Sequence, residues 1–343
     1  MSSRLLVLAI LFCCGLVTSL RGDDASSNDG QAIRKLQATD SLNAAIDSDP
    51  DAEQCLKGLC WTPRSFSVTA VLEPDQKWDS LVQFPSPIDS GNRVNDLVSM
   101  EWHYAKLDGK RVHNAPAIVV VHESGSRMEV GRIFAQSLSN LGFNAFMIQL
   151  PYYGNRRESG KAHQQANQIL AMQQAVADVR RARDAVAVLP DIDLRVIALQ
   201  GTSLGGFVAT TAASLDGKYD AVFLMLAGGD LYDIIQNGEK DAAKARERLE
   251  KNGYTGEKLK SLARQVEPTI VAHRLNPERA WLYSGLYDKV VPFKNAKLLA
   301  DKMRIPEAHH IGMPSNHYSG VVFLPMVLKH IQQQMNFIQT QSE

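Results

Sequence analysis

LRVIALQGTSLGGFVA, residues 194–209, reads as an apolar strand, a tight turn and a helix. The turn carries Gly201, Thr202, Ser203, Leu204 and Gly205, a G-x-S-x-G spacing. In that spacing the serine stands at the apex of a strained strand-to-helix turn. Gly201 and Gly205 have no Cβ, so backbone and neighbouring elements can approach closely. Ser203 Oγ is then held out above the sheet edge. The helix behind it offers free N–H groups and a partial positive charge, which places the Leu204 N–H to stabilise an oxyanion. A glycine-rich turn with a solvated serine has the same local sequence, so the rest of the chain has to decide.

Short apolar runs start at Ala117, Ala145, Arg195, Ala221 and Ala280. Continuous runs of this kind fit strands buried on both faces of a parallel sheet. Helical segments at 130–141, 163–188, 204–214, 295–303 and 318–337 lie between or after them. The alternation predicts an α/β fold, a mostly parallel central sheet with helices on both faces. Upstream, 65–72 and 97–105 carry β-branched and aromatic residues and suit a hairpin-like start to the sheet. Residues 231–275 break the alternation with a run of charged residues and read as a helical insertion, either a cap over the site or a solvated excursion.

Ligands in such sheets lie at the carboxyl ends of the strands. Asp288 follows the run at Ala280 in a turn closed by Pro292, and His317 follows the next expected strand, 308–312. A serine hydroxyl needs a base within hydrogen-bond reach. Histidine takes that proton and returns it, and a carboxylate fixes its tautomer and stabilises its cation. Asp230, after the strand at Ala221, is the rival acid. His309 and His310 fall inside the expected strand, and His330 on a helix face. The second oxyanion donor belongs in the loop after the first buried strand, where Ser124 is the choice and Glu123 the next; the Glu123 side chain is expected to anchor that loop. Tyr152, Tyr153, Arg156 and Arg157 lie at the same edge of the sheet. They are candidates for a substrate wall and an anion contact, or for packing and local ion pairs.

These residues resemble the α/β-hydrolase superfamily from about residue 66 onward. Three motifs carry the likeness: G-T-S-L-G-G at 201–206, Y-D-K-V-V-P at 287–292 and N-H-Y at 316–318. The nearest flavour is the dienelactone-hydrolase and prolyl-oligopeptidase-like branch. P-Y-Y-G-N-R at 151–156 also looks like the P-Y-Y-G-x-R motif of the α/β-hydrolase domain 18 group. The resemblance implies Ser203 as nucleophile, Asp288 as acid and His317 as base. The activity expected is hydrolysis of a carboxylic ester, from a small molecule or a lipid, through an acyl-enzyme, with no metal or cofactor. A serine peptidase on the same fold and a non-catalytic binding protein are the alternatives.

The chain has 343 residues, 45% apolar and 22% charged, with zero formal net charge. That balance fits a globular protein with a full core and gives no reason to expect nucleic acid as partner. Residues 1–19 have the make-up of a cleaved export signal: Arg4, an apolar stretch from Leu5, and small residues up to Ser19. The apolar stretch is short of the ~20 residues a spanning helix needs. Export to the periplasm, cell envelope or outside is therefore expected. Residues 20–61 read as a flexible leader with one short helix at 32–46, and Cys55 and Cys60 could close a small disulfide loop there. The hydrolase domain is expected over 62–343.

Overall fold

The computed structural model describes residues 33–158 and 168–341, all within the compact unit Ala32–Glu343. The expected signal at 1–19, the first part of the leader and the start of the helix expected at 163 lie outside the described residues. In chain order the elements begin with β1 (Ile33–Thr39), α1 (Pro50–Leu59), β2 (Ser65–Leu72), β3 (Ser80–Pro85), β4 (Leu97–His103) and the short pair β5 (Lys106–Leu107) and β6 (Lys110–Arg111). Next come β7 (Ala115–Val121), α2 (Glu129–Ser139), β8 (Asn144–Ile148), α3 (Gln168–Ala187), β9 (Ile192–Thr202), α4 (Leu204–Ser214) and β10 (Val222–Met225). Four helices follow: α5 (Leu231–Asn237), α6 (Asp241–Lys251), α7 (Gly256–Arg264) and α8 (Pro268–Val271). The last elements are β11 (Ala280–Gly285), α9 (Phe293–Met303), β12 (His310–Met313) and α10 (Leu324–Gln341).

Among the described residues ten strands form one sheet in the order β1-β2-β3-β4-β8-β7-β9-β10-β11-β12. The first four and the β4–β8 junction are antiparallel. From β8 to β12 every pairing is parallel. This is the mostly parallel sheet that the apolar runs predict. β2 and β4 do not form the expected hairpin, because β3 lies between them and pairs with both.

Side chains alternate across the sheet, so each parallel strand feeds two cores. Val119, Val121, Leu199 and Leu224 face one side, where they pack with α1, α3, α4 and α9. Ile118, Val120, Ala198 and Phe223 face the other, under α2 and α10. Helix α2 shows how such a layer is written. Phe134 and Leu138 are four residues apart and both fully buried. The helix ends at Asn140, and Gly142 then takes φ +94°, a conformation that suits glycine. Truncating Leu138 to alanine would cost about 2–5 kcal/mol.

The N-terminal segment corrects the sequence reading. Residues 33–39 form an edge strand paired with β2, where a helix over 32–46 is expected. Its alternation is masked in the sequence because only Ala38 is buried, while Arg34 and Lys35 guard an exposed edge. Residues 40–47 are tied down by charge. Asp40 accepts from Arg181 at 2.7 Å, Asp184 from the Ser41 hydroxyl at 2.7 Å, and Asp47 from Arg274 at 2.8 Å. Cys55 and Cys60 are free thiols, not a bridge. Cys55 faces inward from α1 and Cys60 caps that helix, and five residues of helical rise put them on different faces. Burial pushes both thiols up to about 11.

Arg180 of α3 lies beneath this segment, fully buried, with Asp216 accepting from its Nε and its terminal nitrogen at 2.7 Å each. Removing one partner of a buried pair leaves an uncompensated charge. Asp184 also pairs with Arg180 at 3.1 Å, so Asp216→Ala leaves the guanidinium partly compensated and is expected to lower unfolding free energy by about 1–3 kcal/mol. A urea midpoint within experimental error of wild type would contradict that.

Candidate active site

Ser203 occupies a backbone conformation that side chains avoid, φ +52° and ψ −116°. Such strain costs of order 1–3 kcal/mol and persists only where the surroundings impose it. Here the surroundings are two glycines. A Cβ on Gly201 would lie 2.3 Å from the Gly205 carbonyl oxygen, and one on Gly205 would lie 2.2 Å from that of Val121. The start of α4 is therefore pressed against the end of β7. The Ser203 N–H donates to Met225 O at 2.8 Å, and the Ser203 carbonyl accepts from Gly206 and Phe207. The Leu204 N–H, first in α4, finds no acceptor among the described residues.

The three residues picked from the sequence meet. Ser203 Oγ lies 2.9 Å from His317 Nε2, and His317 Nδ1 lies 2.6 Å from Asp288 Oδ2. Asp288 follows β11, and its other oxygen accepts from the N–H groups of Val290 and Val291 at 2.8 and 3.0 Å. That pair of hydrogen bonds holds the carboxylate in one orientation. With Nδ1–H committed to Asp288, neutral His317 presents a lone pair at Nε2 to the serine hydroxyl. The Asp288 and His317 side chains are almost wholly buried. The rivals lie elsewhere. Asp230 caps α5 by accepting from the Asp233 N–H. His309 stacks on Trp281, His310 shares a hydrogen bond with Ser284, and His330 one with Tyr283.

The loop after β7 is braced from below. Both Glu123 carboxylate oxygens accept backbone N–H groups at the start of α2, from Val130 at 3.2 Å and Gly131 at 3.1 Å. This is the anchoring expected of that side chain. His122 is fully buried. Its Nε2 accepts from the Leu150 N–H at 3.1 Å, so its proton is on Nδ1, donated to the Glu123 carbonyl at 2.5 Å. Ser124 is exposed at the loop's turn, and its N–H finds no acceptor among the described residues.

The residues of 151–157 divide. Tyr153 is half-buried, its hydroxyl donating to the Ser124 carbonyl at 3.1 Å and its ring edge-on to His122 at 4.6 Å. The N–H of Tyr152 donates to Asn95 Oδ1 at 2.9 Å. Arg156 cannot meet a substrate. It is fully buried and 2.8 Å from Asp178, and it also donates to the carbonyls of Asn95 and Gln149. Of the two sequence readings of Arg156, an anion contact or a local ion pair, the structure shows the ion pair and not the substrate contact.

The helical insertion rests on the site's own loops. Ile234 and Ala242 pack with Phe207 of α4 and with Val290 and Val291 of the acid loop. The Glu239 N–H donates to Lys289 O at 2.8 Å, and the Tyr318 hydroxyl donates to Asp241 Oδ2 at 2.9 Å. Glu267 closes the insertion's base by accepting from the N–H groups of Asp230, Leu231 and Thr269. Tyr318 and Asp241 are site neighbours that sequence reasoning missed. Tyr318 is flagged by its place beside His317, whereas Asp241 is one charge among many in 239–251.

Among solved structures, the chain is similar to an acetyl xylan esterase from Paenibacillus sp. R4, with TM-score 0.60, 16% identity, and coverage of 85% of this chain and 96% of that one. It is similar too to acetyl xylan esterase 1 from Thermoanaerobacterium sp. JW/SL YS485, at TM-score 0.58, 13% identity, 85% and 96%. A third is the α/β hydrolase GrgF from Penicillium sp. sh18, at TM-score 0.54, 14% identity, 76% and 98%. No protein-family model and no curated protein matches the sequence. The chain has the α/β-hydrolase fold. Among the described residues no helix is long and apolar enough to cross a membrane.

Buried histidines set a pH dependence. Burial holds His122 and His103 down to about 4, from an ordinary 6.5. The unfolded chain then binds the protons better. Their contribution to stability is full above about pH 6.5 and is lost as pH falls toward 4, about 3 kcal/mol for each. Chemical denaturation across that window is expected to show the decline, with a shallower slope in His103→Gln. Parallel profiles for the two proteins would contradict it.

Proposed function

We propose that this chain is an exported serine hydrolase acting on carboxylic esters. The observation that carries the reading is the chain of hydrogen bonds from Ser203 through His317 to Asp288, at 2.9 and 2.6 Å, with the serine on a strained turn. Ser203 attacks the ester carbonyl as its proton passes to His317 Nε2. The imidazolium is stabilised by Asp288 and protonates the departing alcohol, leaving an acyl-enzyme. His317 then draws a proton from water, which attacks the acyl carbonyl and releases the acid. The N–H groups of Leu204 and Ser124 are the proposed donors to the oxyanion in both halves. The esterases among the structural neighbours support the choice of ester over amide.

Hydrolysis of p-nitrophenyl esters from acetate to palmitate tests this. Ser203→Ala is expected to lower kcat about 10⁶-fold and to abolish fluorophosphonate labelling. Asp288→Asn is expected to lose about 10⁴-fold, by favouring the wrong imidazole tautomer. Folded wild-type protein that neither turns over esters nor labels at Ser203 would overturn the assignment in favour of a binding protein. Export is a separate point: the mature chain is expected to begin at Leu20, and intact Met1 on protein recovered from the cell exterior would refute cleavage after Ser19.

A further inference from the structure

We propose that Tyr153 is a positioning residue for the oxyanion hole, clamping the Ser124 peptide through its hydroxyl, and that the P-Y-Y-G-N-R segment exists to hold it there. This rests on the serine-hydrolase reading above.

The two peptide planes around Ser124 are fixed from opposite sides. The carbonyl of Glu123 accepts from buried His122 Nδ1 at 2.5 Å. In a trans peptide the N–H points away from the C=O, so the Ser124 N–H is turned away from that buried ring. The carbonyl of Ser124 accepts from the Tyr153 hydroxyl at 3.1 Å, which fixes the next plane. Without that bond the Ser124–Gly125 plane is free to rotate, and the Ser124 Cα that joins it to the donor plane loses its fixed position. Tyr153 thus acts on the donor N–H from the other end of one residue. Burial raises the phenol further above its ordinary range, so it stays a donor throughout neutral pH.

Tyr153 is itself held on both sides by its neighbours in the segment. Tyr152 before it takes φ +67°, held by its N–H bond to Asn95. Gly154 after it takes φ +49°, and a Cβ there would lie 2.5 Å from Gln149 Oε1. That same oxygen accepts from the Asn155 N–H at 2.8 Å, and Gln149 Nε2 donates to buried Glu101 at 3.0 Å. Two residues on, Arg156 is pinned to Asp178, Asn95 and Gln149. The Tyr152 and Asn155 N–H groups and the Arg156 side chain are spent on local acceptors and buried charge. The Tyr153 hydroxyl reaches out of the motif to the loop after β7.

The test is a double-mutant cycle with Tyr153→Phe, which keeps the ring on His122, and Ser124→Pro, which deletes the N–H. Turnover of p-nitrophenyl acetate is measured together with inhibition by an alkyl trifluoromethyl ketone, whose serine adduct carries the oxyanion. Tyr153→Phe is expected to lower kcat roughly tenfold, leave KM within about twofold and raise the ketone Ki by the same factor as the kcat loss. Ser124→Pro is expected to lower kcat roughly 100-fold, and Tyr153→Phe to add no further loss in that background. Losses that multiply, or a Tyr153→Phe effect on KM with kcat unchanged, would overturn the role. An active wild type with a fully active Tyr153→Phe sinks this inference alone. A wild type with neither turnover nor labelling at Ser203 sinks the hydrolase reading and this role with it.

Discussion

The contact on which the site depends is the approach of two backbones, the start of α4 against the end of β7. Gly205 leaves no room for a methyl group between itself and the Val121 carbonyl. That distance sets the pitch of the turn, and the turn in turn forces Ser203 into positive φ. It also brings the Leu204 N–H beside the loop that carries Ser124. The proposed nucleophile and the Leu204 donor beside it are therefore consequences of one packing constraint, not two separate placements. The parallel register of β7, β9 and β10 makes that constraint possible, because all three strands end at the same level.

Around this turn the polar groups form a second layer of restraint. Asp288 is held by two backbone N–H groups, Glu123 by two more, and Glu267 by three. Each carboxylate spends its acceptor capacity on a loop or a helix start, where backbone donors would otherwise be unmet. The Asp288 loop, the loop after β7 and the insertion's base are fixed by the same device. The insertion adds a direct tie through Tyr318 and Asp241, so the histidine loop is flanked by the charged helical insertion.

Much of this was legible in sequence, for reasons that can be stated. Strands buried on both faces are written as unbroken apolar runs, and β7 to β11 were plain for that reason. Ser203, Asp288 and His317, which the structure links by hydrogen bonds, stand out in the sequence because turn chemistry marks strand ends. What stayed hidden had its cause in tertiary structure. Strand β1 is an edge, so its pattern is mostly polar and mimics a leader. Strand β3 is six residues long and ends in Pro85, too short for a period to show. Arg156 looks like a surface cation until Asp178, on another element, is seen to neutralise it. Charge next to a sheet edge suggests a ligand, and only the fold shows which way the side chain turns.

The backbone at Ser203 carries a consequence for how this protein changes over generations. Any residue with a Cβ is strained there, and glycine would relieve the strain while removing the hydroxyl. Stability and reactivity therefore pull in opposite directions at a single codon. A lineage released from the need for chemistry would be expected to drift at this position first, gaining robustness as it lost its nucleophile. On the proposed mechanism, a serine at a place the fold disfavours is kept for what its oxygen does.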